Sequence, residues 1–329
     1  MALEIDERLH EDEGMSYAKH VILGAGGAIT QALLPELLRN KQEVTLVSRT
    51  GTEIVGTSGV SADVTDYEAL KRCVPQNSAV YLLVGLPYDS RVWSEQWPKI
   101  MDNVITVCKE QGALLVFFDN VYLYGRVEGP MTEGTPHRPV SKKGEIRARI
   151  AEQLQREYDS GGLQAIIARS ADFYGPGAEK TGIPNLLIVE KLLKGSKAQW
   201  LADADKAHSL TYTNDCGRAL YLLVGDETAY NQVWHLPTAR PALTARQLTE
   251  IAAEELRMQP KIGALPPLMV AAGGLFDRTI KELSEMLYQN REEYIFDSSK
   301  FEEHFSFTPT SYKQGIEETI NYYRQQRSE

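Results

Sequence analysis

The stretch KHVILGAGGAITQALLPELLRNKQEVTLVSRTG, from Lys19 to Gly51, decides the fold. An apolar run ends at Leu23, three glycines follow within four residues, a helical pattern comes next, and a second apolar run ends at Ser48. This order predicts two parallel strands joined by a helix, which is the unit from which doubly wound sheets are built.

The same alternation continues along the first half of the chain. Apolar runs predict further strands at Ala79–Val84, Leu114–Phe118 and Gln164–Arg169, and helical patterns predict helices at Asp66–Val74, Ser94–Gln111 and Lys143–Asp159. Nearly continuous apolar strands separated by helices indicate a parallel sheet that is covered on both faces. We therefore expect an α/β fold with a Rossmann-type doubly wound parallel sheet.

Three segments are expected along the chain. Residues 1–17 are acidic and are predicted to be a flexible N-terminal lead-in, and residues 18–175 form the sheet domain. After Gly175, Gly and Pro residues interrupt the pattern more often, and helices are expected at Ala245–Arg257 and Tyr312–Gln326. Residues 176–329 are therefore predicted to form a smaller substrate-binding region that interleaves with the last strands of the sheet.

Composition excludes several classes of function. The net charge of -10 argues against binding the backbone of nucleic acids, which requires a basic face. No apolar run approaches 18 residues, so no membrane span is expected. Three widely separated cysteines suggest neither a disulfide framework nor a metal site, and the N-terminus lacks the features of a secretory signal. A cytoplasmic protein acting on a small molecule is the expectation.

The glycine turn is a candidate site for a dinucleotide cofactor. A strand that ends at such a turn directs the free N–H groups of the next helix toward a pyrophosphate. A purely structural tight turn is the alternative, and Thr30, where a third glycine is expected, is predicted to loosen the packing slightly. The candidate contacts are Gly24, Ala25, Gly26, Gly27, Ala28 and Ile29, with Val84 and Gly85 at the end of a later strand.

The end of the second strand favours NADP(H) over NAD(H). NAD sites usually place an acid there to hold the ribose 2′-hydroxyl, but this chain has Ser48 and Arg49. A guanidinium pairs with a 2′-phosphate that an acid would repel. The alternative is that Arg49 is simply solvated. Asp63 is a candidate contact to adenine, although a role at a helix N-terminus is also open to it, and Thr65 or Asp66 suits that role better.

Five segments together resemble the extended short-chain dehydrogenase/reductase family, the NAD-dependent epimerase/dehydratase group. The resemblance runs from about Lys19 to Arg324. The segments that carry it are GAGGAI (Gly24–Ile29), MDNVITVCKEQGALLVFF (Met101–Phe118), ARSADFYGPG (Ala168–Gly177), HSLTYTNDCGRAL (His208–Leu220) and FSFTPTSYKQGIEETINYYR (Phe305–Arg324). Their common order in the chain implies the family's fold and its nicotinamide cofactor.

The family's catalytic motif, Tyr-x-x-x-Lys with an upstream Ser or Thr, is not kept. Asn120 stands at the serine position, where its amide can still donate a hydrogen bond. One alignment places Gly144 and Ala148 at the positions of Tyr and Lys, and another pairs Pro139 with Lys143. The chain thus resembles an atypical subgroup of the family.

Other residues are therefore candidates for the chemistry. Tyr122 or Tyr124, just beyond the fourth long strand, would supply the phenol, unless both are packed aromatic residues. Tyr174 and His208 are expected to contact substrate, and His208 stands where related sugar-nucleotide enzymes place an arginine that binds the diphosphate.

Two functions of a cofactor-binding protein remain open at this point, beside a third reading in which the chain is a scaffold of this fold without a cofactor. The first is an NADP(H)-dependent oxidoreductase or epimerase acting on a small carbonyl, alcohol or sugar-type substrate. The second is a non-catalytic dinucleotide-binding sensor, which the absent motif favours. The resemblance also allows a homodimer formed through the predicted helices Ser94–Gln111 and Lys143–Asp159.

Overall fold

A seven-stranded parallel sheet forms the centre of the molecule. The computed structural model describes residues 17–274 and 278–327, so the predicted lead-in lies outside the described residues except for Tyr17. The strands of this sheet are β1 (Lys19–Leu23), β2 (Glu43–Ser48), β3 (Ser58–Ser61), β4 (Ala79–Leu82), β5 (Leu114–Asp119), β6 (Ala165–Arg169) and β11 (Gln232–His235). Their spatial order is β11-β6-β5-β4-β1-β2-β3, and all six pairings are parallel.

Helices cover both faces of this sheet. They are α1 (Ala28–Arg39), α2 (Tyr67–Cys73), α3 (Ser90–Gln111), α4 (Lys142–Asp159) and α6 (Thr213–Gly225). One apolar cluster joins the sheet to α3 and α4, with Ile100 and Leu154 fully buried. A second joins the opposite face to α1 and α6, with Leu33 and Leu220 fully buried. The predicted Rossmann-type doubly wound fold is confirmed.

A smaller set of elements follows the sheet. Its short strands form three pairs, β7 (Asp172–Tyr174) with β10 (Leu210–Tyr212), β8 (Ala198–Leu201) with β13 (Ile262–Leu265), and β9 (Ala207–His208) with β12 (Leu243–Thr244). Its helices are α5 (Glu190–Leu193), α7 (Ala245–Glu255), α8 (Pro267–Gly273), α9 (Arg278–Ser284), α10 (Ser299–His304) and α11 (Tyr312–Gln326). Because β11 returns to pair with β6, chain from beyond residue 175 completes the main sheet. The domain boundary at that residue stays a prediction.

One polar side chain of β1 is buried in the core. His20 in β1 is 1% exposed, and its ring nitrogens lie 3.0 Å from the hydroxyl of Tyr81 and 3.0 Å from the carbonyl of Tyr17. Burial disfavours the imidazolium and lowers the pKa of His20 from 6.5 to about 4.

Mild acid should therefore destabilise the fold through His20. Between pH 6.5 and 4 the imidazole of His20 is protonated in the unfolded chain but stays neutral in the native protein. The free energy of unfolding is therefore unaffected by His20 above pH 6.5 and decreases as the pH falls below it. At pH 5 the loss is about 2 kcal/mol. Urea unfolding at pH 7 and pH 5 measures it, and His20→Asn should flatten the dependence by about that amount. An unchanged slope in the variant would refute this.

The described part of the chain also offers no way to span a bilayer by a helix. Among residues 17–274 and 278–327, no helix is both long and apolar enough to do so. The three cysteines, Cys73, Cys108 and Cys216, are buried free thiols.

Candidate functional site

The glycine turn after β1 has the geometry that was expected of a cofactor cradle. Gly24 has φ +113°, and a Cβ there would lie 2.8 Å from the carbonyl oxygen of Leu83, so only glycine fits. A Cβ at Gly26, in contrast, would meet no atom within 4 Å. The turn is thus held tightly against the end of β4 at Gly24 and opens onto free space at Gly26.

Thr30 strengthens the turn. Its side chain is fully buried, and its hydroxyl donates a 2.7 Å hydrogen bond to the carbonyl of Gly24. The looser packing expected at this position is therefore wrong, because the hydroxyl ties α1 to the turn. The close approach of α1 to a neighbouring element is provided instead at Gly217 of α6, where a Cβ would lie 2.2 Å from the carbonyl of Ala32.

A cleft of about 530 Å³ lies beyond the turn, at the carboxyl ends of β1, β2 and β4. Its lining includes nine of the predicted cofactor residues, which are Gly24, Ala25, Gly26, Gly27, Ser48, Arg49, Asp63, Val84 and Gly85. Ala28 and Ile29 instead form the buried first turn of α1 and do not line it. No side chain caps the N-terminus of α1, whereas Asp66, Asp89 and Ser141 cap α2, α3 and α4. The N–H groups at the start of α1 therefore remain available to a ligand in the cleft.

Two cations stand at the β2 end of this cleft. Arg49 is exposed at the end of β2, and Lys99 of α3 is an exposed lining residue that the sequence did not reveal. Asp63 lies near both, and its carboxylate accepts 2.8 Å hydrogen bonds from the N–H and the hydroxyl of Thr65, which lower the pKa of Asp63. Asp63 is thus occupied in a turn, and Asp66 is the cap of α2, as the sequence favoured.

Asn120 and Tyr122 lie just beyond β5. The Asn120 Oδ1 accepts a 3.1 Å hydrogen bond from the N–H of Tyr122, which leaves the amide Nδ2 as a donor. The ring of Tyr122 stacks on Trp93, with 6.4 Å between centroids. Burial, together with the nearby carboxylate of Asp172, raises the pKa of the Tyr122 phenol above its ordinary value. The phenol is therefore protonated at neutral pH.

Tyr124 belongs to a buried network behind β5. Its hydroxyl accepts a 2.9 Å hydrogen bond from Arg169 and lies 2.8 Å from the Nε2 of His235. Arg169 and Arg147 both pair with the fully buried carboxylate of Asp119, at 3.2 and 2.8 Å. Arg169 is thus a structural residue of the core, and the hydroxyl of Tyr124 is occupied by this network.

The structure explains why glycine, and not the tyrosine of the motif, occupies position 144. A Cβ at this position would lie 2.5 Å from the carbonyl oxygen of Tyr122 and 3.0 Å from Pro139. Helix α4 therefore approaches the chain after β5 so closely that no side chain fits at Gly144.

Lys143 beside it is fully buried in an ion-pair cluster. Its ammonium contacts the carboxylates of Glu282 in α9 and Glu285 just after it, the latter at 2.7 Å, and lies 4.4 Å from the centre of the Tyr88 ring. The N–H and hydroxyl of Ser90 each donate a 3.0 Å hydrogen bond to Glu282. Burial opposes ionisation, but Lys143 and Ser90 outweigh it and lower the pKa of Glu282.

The predicted substrate residues both lie inside the protein. Tyr174 is fully buried between Tyr212 and Tyr312, in the apolar cluster of the smaller region. His208 is 2% exposed, stacks on Tyr294 at 4.2 Å, and its Nε2 lies 3.0 Å from the Oδ2 of Asp172. His208 thus contacts Asp172, which in turn lies near Tyr122.

The family is decided by comparison with known proteins. The model of the NAD dependent epimerase/dehydratase family matches residues 20–234, which is more than half of the chain. The chain belongs to this family. The resemblance inferred from the five sequence segments is thereby confirmed. A comparison with curated proteins finds no match.

Solved structures share the whole fold of this family member. UDP-glucose 4-epimerase from Thermus thermophilus, in complex with NAD, has a TM-score of 0.76 at 19% identity over 93% of this chain and 99% of that one. UDP-glucose 4-epimerase from Thermotoga maritima, with UDP-glucose, has a TM-score of 0.77 at 19% identity over 94% and 99%. dTDP-glucose 4,6-dehydratase from Bacillus anthracis, with NAD, has a TM-score of 0.76 at 16% identity over 94% and 97%.

Proposed function

We propose that this family member is an NADP(H)-dependent oxidoreductase or epimerase acting on a small carbonyl or alcohol substrate. The observation that carries the proposal is the cleft itself, in which Gly26 leaves free space directly in front of the uncapped N-terminus of α1. A pyrophosphate fits such a cradle because backbone N–H groups and the helix dipole both favour negative charge there. Structural neighbours that hold NAD support a nicotinamide dinucleotide.

The 2′-phosphate of NADP(H) would lie between Arg49 and Lys99. Both side chains are exposed and line the cleft, and Asp63, a carboxylate that lies near both, is already engaged by Thr65. Charge-assisted bonds from a guanidinium and an ammonium to phosphate distinguish the phosphorylated cofactor from NAD(H).

Replacing these cations should weaken binding of NADPH selectively. Arg49→Ala or Lys99→Ala is expected to raise the dissociation constant of NADPH about tenfold each, and to leave that of NADH nearly unchanged. Titration of cofactor fluorescence measures both constants. Lys19→Ala is the matched control, because that exposed residue opens β1 at the opposite end of the strand. Equal losses for NADPH and NADH would refute the assignment of the phosphate.

Tyr122 and Asn120 are the groups proposed to act on the substrate oxygen. When bound, the nicotinamide supplies or accepts hydride at the substrate carbon. In the reducing direction the amide of Asn120 orients the carbonyl oxygen, and the protonated phenol of Tyr122 gives that oxygen its proton. Because burial raises the pKa of the Tyr122 phenol, the group carries its proton at neutral pH and has it available for the substrate oxygen.

A non-catalytic dinucleotide sensor is the second candidate. The observation that favours it is the backbone contact at Gly144, which excludes the family's tyrosine from its usual place. Oxidation of bound NADPH by a panel of aldehydes and ketones decides between the two. Tight binding without loss of hydride to any of them would establish the sensor and overturn the enzyme. Dimerisation through α3 and α4, and a cytoplasmic location, stay predictions.

A further inference from the structure

An acidic cluster lies where the sheet domain meets the smaller region. It consists of Tyr88, Tyr122, Asp172, Glu285 and Tyr288, with Lys143 and Glu282 beside them. Tyr122 and Tyr288 both have Asp172 and Glu285 as charged neighbours, and Tyr88 lies near Tyr122, Asp172 and Glu285 as well. Tyr88 also directly follows Pro87, which lines the cofactor cleft. The cluster therefore lies next to the cleft. It contains the proposed proton donor, Tyr122, and the two carboxylates Asp172 and Glu285.

The charges of this cluster are not balanced. The cluster and its border hold three carboxylates, and two of them, Glu282 and Glu285, pair with the buried ammonium of Lys143, whereas Asp172 lies against His208. Arg147 also lies near Tyr122, but its Nε donates to Asp119 and its Nη2 to the carbonyl of Phe118. Arg126 lies near Tyr288 and pairs with Glu292 at 3.5 Å. The cluster thus has surplus negative charge, and each of these three cations already has a partner.

The hydroxyl of Tyr288 is a second, independent feature that points to a ligand at this cluster. The residue is 7% exposed, and its hydroxyl is buried without a hydrogen-bond partner among the described residues. Its charged neighbours are Asp172 and Glu285 of the acidic cluster and, with the opposite charge, Arg126, which pairs with Glu292. A buried hydroxyl without a partner costs about 1–3 kcal/mol, which a ligand that bonds to it would recover.

Asp172 has an oxygen free to meet the same ligand. Its side chain is 24% exposed, and one oxygen, Oδ2, lies against the Nε2 of His208. The other carboxylate oxygen has no hydrogen-bond partner among the residues that the structure describes. An ammonium group is the natural partner of a carboxylate flanked by phenol hydroxyls.

From these observations we propose that the substrate is a small alcohol or carbonyl compound carrying a protonated amine, bound by Asp172 and the hydroxyl of Tyr288. The proposal rests on the proposed function for the reaction at Tyr122. It disfavours a nucleoside diphosphate, because Asp172 and Glu285 would repel the phosphates, and the cations near the cluster, Lys143, Arg147 and Arg126, each already have a partner. It also assigns Tyr288, which no sequence pattern indicated, to substrate binding.

Three probes with one carbon skeleton test the charge preference. They are 1-amino-2-propanol, 1,2-propanediol and lactate, titrated by ligand-detected NMR against the full chain with and without NADPH. The amine should bind about tenfold more tightly than the diol, and lactate should bind most weakly. Equal binding of the three, tighter binding of lactate, or no binding at millimolar concentration would overturn the proposal. Failure of NADPH to bind would overturn the proposed function alone, since the amine can be measured without it.

Two variants locate the binding site. Tyr288→Phe keeps the ring, removes a hydroxyl that has no partner, and should weaken binding of the amine about tenfold while preserving stability. Asp172→Asn should remove the preference for the amine over the diol. Tyr323→Phe is the matched control, because Tyr323 is a buried tyrosine of α11 outside the acidic cluster. Unchanged affinities in both Tyr288→Phe and Asp172→Asn would refute the site.

Discussion

Gly26→Val should raise the dissociation constants of NADPH and NADH by more than about 100-fold while leaving the protein folded. The Cβ of the variant meets no protein atom within 4 Å, and the backbone at Gly26 is not in the left-handed region, so the added side chain begins in open space. It projects into the free space in front of the α1 N-terminus, where the pyrophosphate is proposed to lie. Fold and cofactor binding are thus separated by a single residue.

The matched control for this variant is Gly134→Val. Gly134 is exposed, does not line the cleft, and has only the hydroxyl of Thr132 near its added Cβ, at 3.9 Å. Circular dichroism and thermal unfolding should report the same fold for both variants, and fluorescence titration should show binding only for Gly134→Val. If folded Gly26→Val kept the wild-type affinity for NADPH and NADH, the proposal that the cofactor binds in this cleft would be wrong.

Tyr122→Phe should lower kcat by about 10²–10³-fold, with the affinity for NADPH unchanged. The ring still stacks on Trp93, and the variant loses the proton donor just beyond β5 together with its hydrogen bond with the hydroxyl of Tyr88. Because burial and Asp172 raise the pKa of this phenol, the kcat of the wild type should show no phenol ionisation through the neutral range.

Stopped-flow oxidation of NADPH with a reducible aldehyde measures this step. Tyr322→Phe, in α11, is the control and should keep the rate of the wild type. A rate within a factor of about two of wild type in Tyr122→Phe would assign the proton to another group.

The sheet was largely predictable because burial on both faces leaves an unmistakable pattern. β5, Leu-Leu-Val-Phe-Phe-Asp, is predicted within one residue, since nearly every side chain in it is apolar and buried. β3, Ser-Gly-Val-Ser, escapes prediction because this edge strand is only half-buried and carries little apolar character. α3 begins at Ser90, four residues before the predicted start, because Asp89 caps it there.

The site was predictable only where its residues lie close together in the sequence and form a recognisable pattern. The glycines and Arg49 lie within one strand–helix–strand unit, whereas Lys99 reaches the same cleft from a helix fifty residues away. Lys143 and Glu282 are 139 residues apart, so their pairing has no local signal. At Gly144 the sequence shows only a missing side chain, and the contact that requires its absence is visible only in three dimensions.

The close contact between Gly144 and the carbonyl of Tyr122 also limits how this protein can be engineered. Substituting tyrosine for Gly144 would place its Cβ against the carbonyl oxygen of Tyr122. No choice of rotamer relieves this clash, because the position of the Cβ is fixed by the backbone. The family's Tyr-x-x-x-Lys motif therefore cannot be introduced at this position by point substitution alone. Grafting the familiar pair would require the helix to be moved outward first, together with the Lys143–Glu282–Glu285 contacts that hold its start.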